Sequence, residues 1–555
     1  MVKKKLTAIL LATVMAFAVC AFSGCGYDGE DGFTEEVDST RTQIYVFNFY
    51  GGFRNEWLQS AKKQFEELYK DYDGVDGKKG VQIMMDPRKQ YFSSTGSVIK
   101  TGTNEVYFTE YMYFHGPYNG GAFLDITDWI EEPVTEHGDS RTIIDKLSSE
   151  QQAYYSRDGR YYALPHYESY EGIVYNKDIW KSKGFYFSHS ERNNPDLYSR
   201  FTSDMNDLSA GPDGEKGTAD DGLPATYADL VDLCTYINAN GVIPFIWSGE
   251  HYIEYVAGVL NALVADYEGE EMRLMYELDG TATTLVDKDG NKLPDQTITE
   301  QTAYKIANME GRREALKLVE KLVHTTEWQA EGAFNSALSH QSAQSRYLSS
   351  GYDGNKQIAM LIDGTWWEGE ASQTFQDVAD WYRAPSKNER SFGWMPLPKA
   401  NTQKLGKQTY FDPTQGMCFV KSTLAEEKKD IVKKFIRFMY SDKMLSEFTR
   451  ITSAAKALDY DVSPEDEAQM TDFAKDLWTQ RKNAKTIVYP ISNAPLFVNN
   501  QGSFDRSMVM GVRINGKDYE TAVQAFHEIP TLTAQQAFEG MLDYQKRWFD
   551  ITLKK

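Results

Sequence analysis

The spacing of apolar residues changes period several times along this chain. Ile44-Tyr45-Val46-Phe47-Asn48-Phe49-Tyr50 is a strand-like apolar run broken by Gly51-Gly52. Trp57, Leu58, Ala61, Phe65 and Leu68 then recur at helical spacing and fall on one face. Val81-Gln82-Ile83-Met84 and Val106-Tyr107-Phe108 read as further short strands. This β-loop-α-β order predicts an α/β protein with open, parallel sheets flanked by helices. Ligands of such sheets bind outside the carboxyl ends of the strands, and Asn48, Tyr50, Glu110 and Tyr111 lie just past those ends. Later segments repeat the pattern. Thr226-x-x-Asp229 is placed to cap a helix bearing Leu230, Leu233, Cys234 and Ile237, closed by Asn240-Gly241 and followed by a Val242–Trp247 strand. Thr423-x-x-Glu426 similarly precedes Ile431, Val432, Phe435, Ile436 and Met439.

The amino terminus has a different grammar. Lys3-Lys4-Lys5 precedes Leu6–Phe22, a run of 17 uncharged, mostly apolar residues. That is short of the ~20 residues a permanent membrane helix needs, and fits a secretory signal over 1–24. It ends in Phe22-Ser23-Gly24-Cys25, which resembles the lipobox of bacterial lipoproteins, although the family usually carries Leu or Val where Phe22 stands. The resemblance implies that Cys25 is acylated and anchors the chain to the outer face of the cell membrane; the alternative is cleavage near Gly24 without lipid. Residues 25–41, acidic and Gly-rich, read as a flexible tether.

Charge and composition narrow the chemistry. With 59 Lys+Arg against 81 Asp+Glu the net charge is −22, which argues against a nucleic-acid partner. Tyr 35, Phe 29 and Trp 11 form a large stock of flat amphipathic rings, useful in cores and in sugar sites alike. The cysteines are Cys20, Cys25, Cys234 and Cys418, too few for a disulfide framework once the first two are spent on signal and lipid. No GxSxG elbow or GxxxxGK[ST] phosphate loop occurs, and no two of the eight histidines are closer than 16 positions, so HExxH zinc spacing is absent. A carboxylate pair for glycoside hydrolysis needs proximity in space only, and stays open.

Tyr162-Ala-Leu-Pro165 followed by Glu171-Gly-Ile-Val-Tyr175-Asn176-Lys177-Asp178 resembles a crossover segment of the extracellular solute-binding proteins, family 1, the sugar receptors of ABC importers. Further segments are similar to that family in the same order: Glu105–Thr127, Ala359–Trp366, Phe392–Pro398 and Gly416–Met439. The segments 185–225 and 265–300 have no family counterpart. The resemblance implies a two-lobed, type II periplasmic-binding-protein-like fold with the ligand cleft between lobes. Residues 42–168 and 412–486 would form the N-terminal lobe, and 173–407 and 490–555 the C-terminal lobe. Chain crossings are expected near 165–173, 408–416 and 485–490.

For ligand contacts the family places a stacking aromatic where Trp366-Trp367 stands; adjacent residues point apart, so at least one of the two is expected to bind, the alternative being that one of them is core. Trp247 ends a strand and is a second aromatic candidate. Glu110, Glu168 and Asp363 are candidates for sugar hydroxyls, since an ionised carboxylate accepts several; a solvated rim or lobe-lobe charge is the alternative. Asp412 is expected to bind or to support a crossing, and Tyr111, Tyr113 and Tyr170 are supporting candidates. Separately, Asp207, Asp213, Glu215, Asp220 and Asp221 stand among glycines, a composition that suits a structural Ca²⁺ or, equally, an acidic surface turn; the EF-hand spacing is missing. The expected function is capture of a carbohydrate, an oligosaccharide, by a monomeric, non-enzymatic receptor without a required cofactor, which delivers it to ABC importer permease subunits. A surface carbohydrate-active enzyme and a peptide-binding or sensor-coupled receptor are the other two readings.

Overall fold

The computed structural model describes residues 33–553 except 34, 93–95, 353, 414–415 and 505–509; Cys25 and the signal segment lie outside them. The strands that build the two main sheets and the ribbon between them are β1 (Thr42–Asn48), β2 (Val81–Asp86), β3 (Val106–Thr109), β4 (Leu164–Pro165), β5 (Glu171–Asn176), β6 (Ile243–Ile246), β7 (Ile358–Gly364), β8 (Phe392–Met395), β9 (Thr409–Phe411), β10 (Met417–Val420) and β11 (Thr486–Val488). The helices used below are α1 (Glu56–Leu68), α2 (Tyr252–Glu268), α3 (His340–Leu348), α4 (Lys429–Met439) and α5 (Asp472–Lys482).

The first sheet runs β2-β1-β3-β10-β4. Its first three strands are parallel, and β10 lies antiparallel between β3 and β4. Strand β1 is apolar throughout because both its faces are covered. Ile44 and Val46 pack with Trp57, Leu58, Ala61 and Phe65 of α1 and with α4, while Phe47 turns to Tyr107 and Phe419 on the other face. The second sheet runs β6-β7-β5-β8, with β5 antiparallel to both its neighbours. Here too successive residues separate: Ile173 and Tyr175 join the cluster that holds α2, and Val174 the cluster that holds α3 and Trp367. Thr226 and Asp229 make the expected capping box. Thr423 does not cap its helix; its hydroxyl donates to the Lys100 carbonyl, and the turn starts after Ala425.

The chain passes from β4 in the first sheet to β5 in the second through 166–170, and from β9 to β10 through 412–416. Strand β9 pairs in parallel with β11, Thr409 opposite Thr486 and Phe411 opposite Val488. Helix α5 belongs to neither side alone. Phe473 and Leu477 pack with Trp367 and Trp394, whereas Ala474 and Trp478 join the cluster of the first sheet. Residues 35–41, expected within a free tether, are held to the first sheet: Asp38 N–H donates to the Gln82 amide oxygen at 2.8 Å, and Gln82 donates back to the Glu36 carbonyl at 2.9 Å.

One buried charge ties these passages together. Glu168, 1% exposed, receives Arg481 Nε and Tyr170 Oη on one carboxylate oxygen at 2.5 Å each. Its other oxygen takes Arg481 Nη2 at 2.9 Å and Tyr489 Oη at 2.7 Å. Beside it Asp412 accepts the Ser169 N–H at 3.3 Å, and its own N–H donates to the Val488 carbonyl at 3.1 Å. Replacing Arg481 by Met strands a buried carboxylate and is expected to cost about 3–5 kcal/mol in urea unfolding. Adding Glu168→Gln to that variant should restore a substantial part; no restoration would show that Arg481 acts through packing alone.

Candidate functional site

Past the end of β1 the chain turns sharply at Gly51-Gly52. The Asn48 side-chain amide clamps this turn by donating to the Arg54 carbonyl at 2.9 Å. A Cβ on Gly52 would stand 2.5 Å from Cβ of Trp366, and one on Gly51 would stand 2.5 Å from Glu110 Oε1. Two glycines therefore allow backbone of the first lobe to lie against a tryptophan from the end of β7 and a carboxylate from the end of β3. Arg54 also reaches across to Ser372 Oγ at 2.9 Å. Trp366 is half-buried, its ring 6.1 Å from that of Tyr255 on α2. On the first lobe Tyr111 is 52% exposed at a left-handed φ of 48° and stands 6.3 Å from the ring of Tyr91. The strand ends thus bring together Glu110, Tyr111 and Trp366 from the expected set, with Tyr91 and Tyr255 added by the fold.

Four carboxyl groups face this region. Burial pushes Glu110 up to about 7, partly opposed by the Tyr167 hydroxyl and by exposed Lys89, with the Glu370 charge adding to the rise. Burial alone raises Glu171 to about 8. Its carboxyl lies on the backbone of Gly258 in α2, where any Cβ would collide with it. Asp363, 2% exposed, is raised well above the carboxylate range by burial and then by Glu370. The Gln344 amide nitrogen bridges Asp363 Oδ2 at 3.1 Å and Glu370 Oε2 at 2.7 Å, and the Gly364 N–H donates to Asp363 Oδ1 at 2.7 Å. His340 stands 3.7 Å from Glu370. Glu171, Tyr255, Gln344 and Glu370 were missed by sequence reasoning. One signal was available: Gly258 interrupts an apolar helical pattern, which marks a close approach.

Trp367, Trp247, Glu168, Tyr170 and Asp412 are committed to structural contacts. Trp367 is fully buried among Tyr347, Phe375, Phe392 and Phe473, so the pair divides into a cleft ring and a core ring. Trp247 is also fully buried, its indole N–H donating to the Ala333 carbonyl at 2.7 Å. Glu168 has every lone pair engaged, so its reading as a hydroxyl acceptor is corrected. Tyr170 is its donor and packs 4.6 Å from Tyr410; Asp412 braces the crossing. Tyr50 is half-buried with its N–H on the Arg88 carbonyl, and Tyr113 meets Phe497 edge-on at 6.5 Å.

In the acidic loop the carboxylates serve their own turns. Asp207 accepts from Ser188 and Ser190, Asp213 from the Glu215 N–H, Asp220 from Thr218 and the Asp213 N–H, and Asp221 from the Gly217 N–H. Among the described residues no three His, Cys, Asp or Glu side chains converge as metal ligands.

A two-sheet α/β body with a strand-end site at the meeting of its lobes defines a binding-protein architecture. The family model of the bacterial extracellular solute-binding protein matches residues 118–445, more than half of the chain, and the protein belongs to that family. No curated relative matches it. Among solved structures it is similar to a chitin oligosaccharide binding protein, with TM-score 0.53 and 14% identity over 92% of this chain and 99% of that one. Apo RafE from Streptococcus pneumoniae aligns with TM-score 0.53 and 12% identity over 93% and 100%. UgpB from Mycobacterium tuberculosis, in complex with glycerophosphocholine, aligns with TM-score 0.52 and 14% identity over 92% and 98%. These likenesses establish the shared fold. Among the described residues no helix is long and apolar enough to cross a membrane.

The two tryptophans should separate cleanly in unfolding experiments. Trp367→Ala is expected to cost about 3–5 kcal/mol, and Trp366→Ala only about 1–2 kcal/mol. Equal losses would place both rings in the core. The cleft acids also set a pH dependence. Glu110 and Glu171 hold protons in the folded chain to about 7 and about 8, against an ordinary 4.5. Folding therefore takes up protons in that window, and their contribution to stability is greatest below it and declines as pH rises through it. Glu171→Gln should flatten the fall of the urea midpoint between about pH 5 and about pH 8; an unchanged slope would mean that Glu171 ionises as an exposed glutamate does.

Proposed function

We propose that this protein is a lipid-anchored extracellular receptor that captures an oligosaccharide between its lobes by hinge closure and delivers it to an ABC importer. The observation that carries the reading is the site at the strand ends. Trp366, with Tyr255 and Tyr111 nearby, offers flat rings, while Glu110, Asp363 and Glu370 offer acceptors. Saccharides need both, because their ring faces are apolar and their hydroxyls require directional partners. The ligands of similar proteins, chitin oligosaccharide and raffinose, agree with a sugar. Lipid attachment at Cys25 rests on the Phe22–Cys25 pattern, and the chain itself supplies no phosphate loop to drive transport. The acidic loop is read as a set of self-capped turns and the chain as a non-enzymatic monomer.

Thermal and chemical unfolding of the chain from residue 26 onward against purified saccharides tests this. A sugar at about 100 times its Kd should add about 2.7 kcal/mol of stability. It should be recovered uncleaved, and Trp366→Ala should abolish the effect. A cleaved sugar would make the protein an enzyme, and stabilisation by peptides alone would overturn the carbohydrate reading.

A further inference from the structure

The cleft carboxylates are short of positive partners. Among the described residues no lysine or arginine forms an ion pair with Glu110, Glu171, Asp363 or Glu370, although all but one of the forty ion pairs there, mostly with lysine or arginine, lie elsewhere. Lys89 acts on Glu110 from an exposed position, and among the described residues His340, with His251 behind it at 5.9 Å, is the one basic group paired with Glu370. A second, independent feature points to a missing donor. Gln344 is fully buried and spends its amide nitrogen on Asp363 and Glu370, while its amide oxygen has no hydrogen-bond partner. A buried acceptor left unpaired costs stability, so the site is short of N–H or O–H groups as well as of positive charge.

A metal ion does not answer this description, because the carboxylates do not converge on one point. They are spread along a wall that also carries Trp366, Tyr255 and Tyr111, and aromatic faces attract organic cations. An ammonium group on a sugar ring supplies three donors, one positive charge and an apolar ring face together. Resting on the carbohydrate reading above, we infer that the ligand is an amino saccharide with a free, protonated amine, held at the carboxylates of Asp363 and Glu370 and the amide oxygen of Gln344. A neutral sugar would leave the buried carboxyls protonated, and an acidic one would favour their protonated forms further.

Calorimetric titration of the chain from residue 26 onward with a glucosamine trimer, an N-acetylglucosamine trimer and maltotriose decides the matter. The free-amine trimer is expected to bind at least about tenfold more tightly than either neutral trimer, which is about 1.4 kcal/mol. Its binding should release protons, seen as a dependence of the heat on the buffer, since the bound cation ionises carboxyls that burial holds protonated. Glu370→Gln should reduce the preference for the amine about tenfold, and Gln344→Glu should sharpen it. Equal or tighter binding of a neutral trimer overturns the amine assignment and leaves the carbohydrate reading intact. Failure of all three saccharides, with stabilisation by a lysine-rich peptide, defeats both. Should Glu370→Gln not fold, the ratio of affinities and the proton release of the unmodified chain still decide.

Discussion

The arrangement depends on a single buried carboxylate that is fully satisfied. Glu168 sits where the chain leaves the first sheet, and its donors come from the same passage, from α5 and from the residue after β11. A buried ion pair contributes little net stability compared with a well-packed apolar core, but breaking one side of it is costly. That asymmetry makes it a device for registry. Arg481 also donates to the Lys456 and Leu458 carbonyls, so one guanidinium fixes a further loop. With Asp412 bracing the β9–β10 passage alongside, the connections between lobes are held at one point rather than spread along the seam.

The cleft uses the same residue type under the opposite condition. Glu110, Glu171 and Asp363 are desolvated without an adjacent guanidinium, and they respond by holding protons. Glu168 and Glu171 are three residues apart in the chain and differ only in what surrounds them. Burial alone does not set the fate of a carboxylate; the supply of donors does. This is why a list of acidic candidates read from composition includes both braces and binders.

Much of the architecture was legible because it follows from period and order. The apolar run of β1, the face of α1 up to Phe65 and the capping box at Thr226 are local patterns and form as expected, whereas Leu68, expected on that face, is 55% exposed at the helix end. The site was legible only in part. Glu110 and Tyr111 follow from the rule that sites lie beyond strand ends, and Trp366 from the family resemblance. Glu171, Gln344 and Glu370 enter through packing between segments distant in sequence, which no local pattern reports. The two misplaced tryptophans share one cause. Trp247 and Trp367 are large apolar rings next to strand ends, and at that position a ring fills the core as readily as it faces a cleft. Only the neighbours of Trp367 decide, and they come from 347, 375, 392 and 473.

The glycines explain how acidic heads and an indole come to lie directly against backbone at the cleft. Gly51, Gly52 and Gly258 each face a carboxylate or Trp366 at a distance that leaves no room for a methyl group. At each of these positions a side chain has been omitted so that an acidic head or an indole lies directly on backbone. Backbone against a carboxylate contributes no positive charge, so close approach and charge deficit arise from the same choice of residue. A surface designed for stability alone would place lysine or arginine against Glu171 in the way Lys399 stands against buried Asp266 at 2.7 Å. The strand-end cleft forgoes that partner, and the physical consequence is that Glu110 and Glu171 hold their protons well above the ordinary carboxylate range.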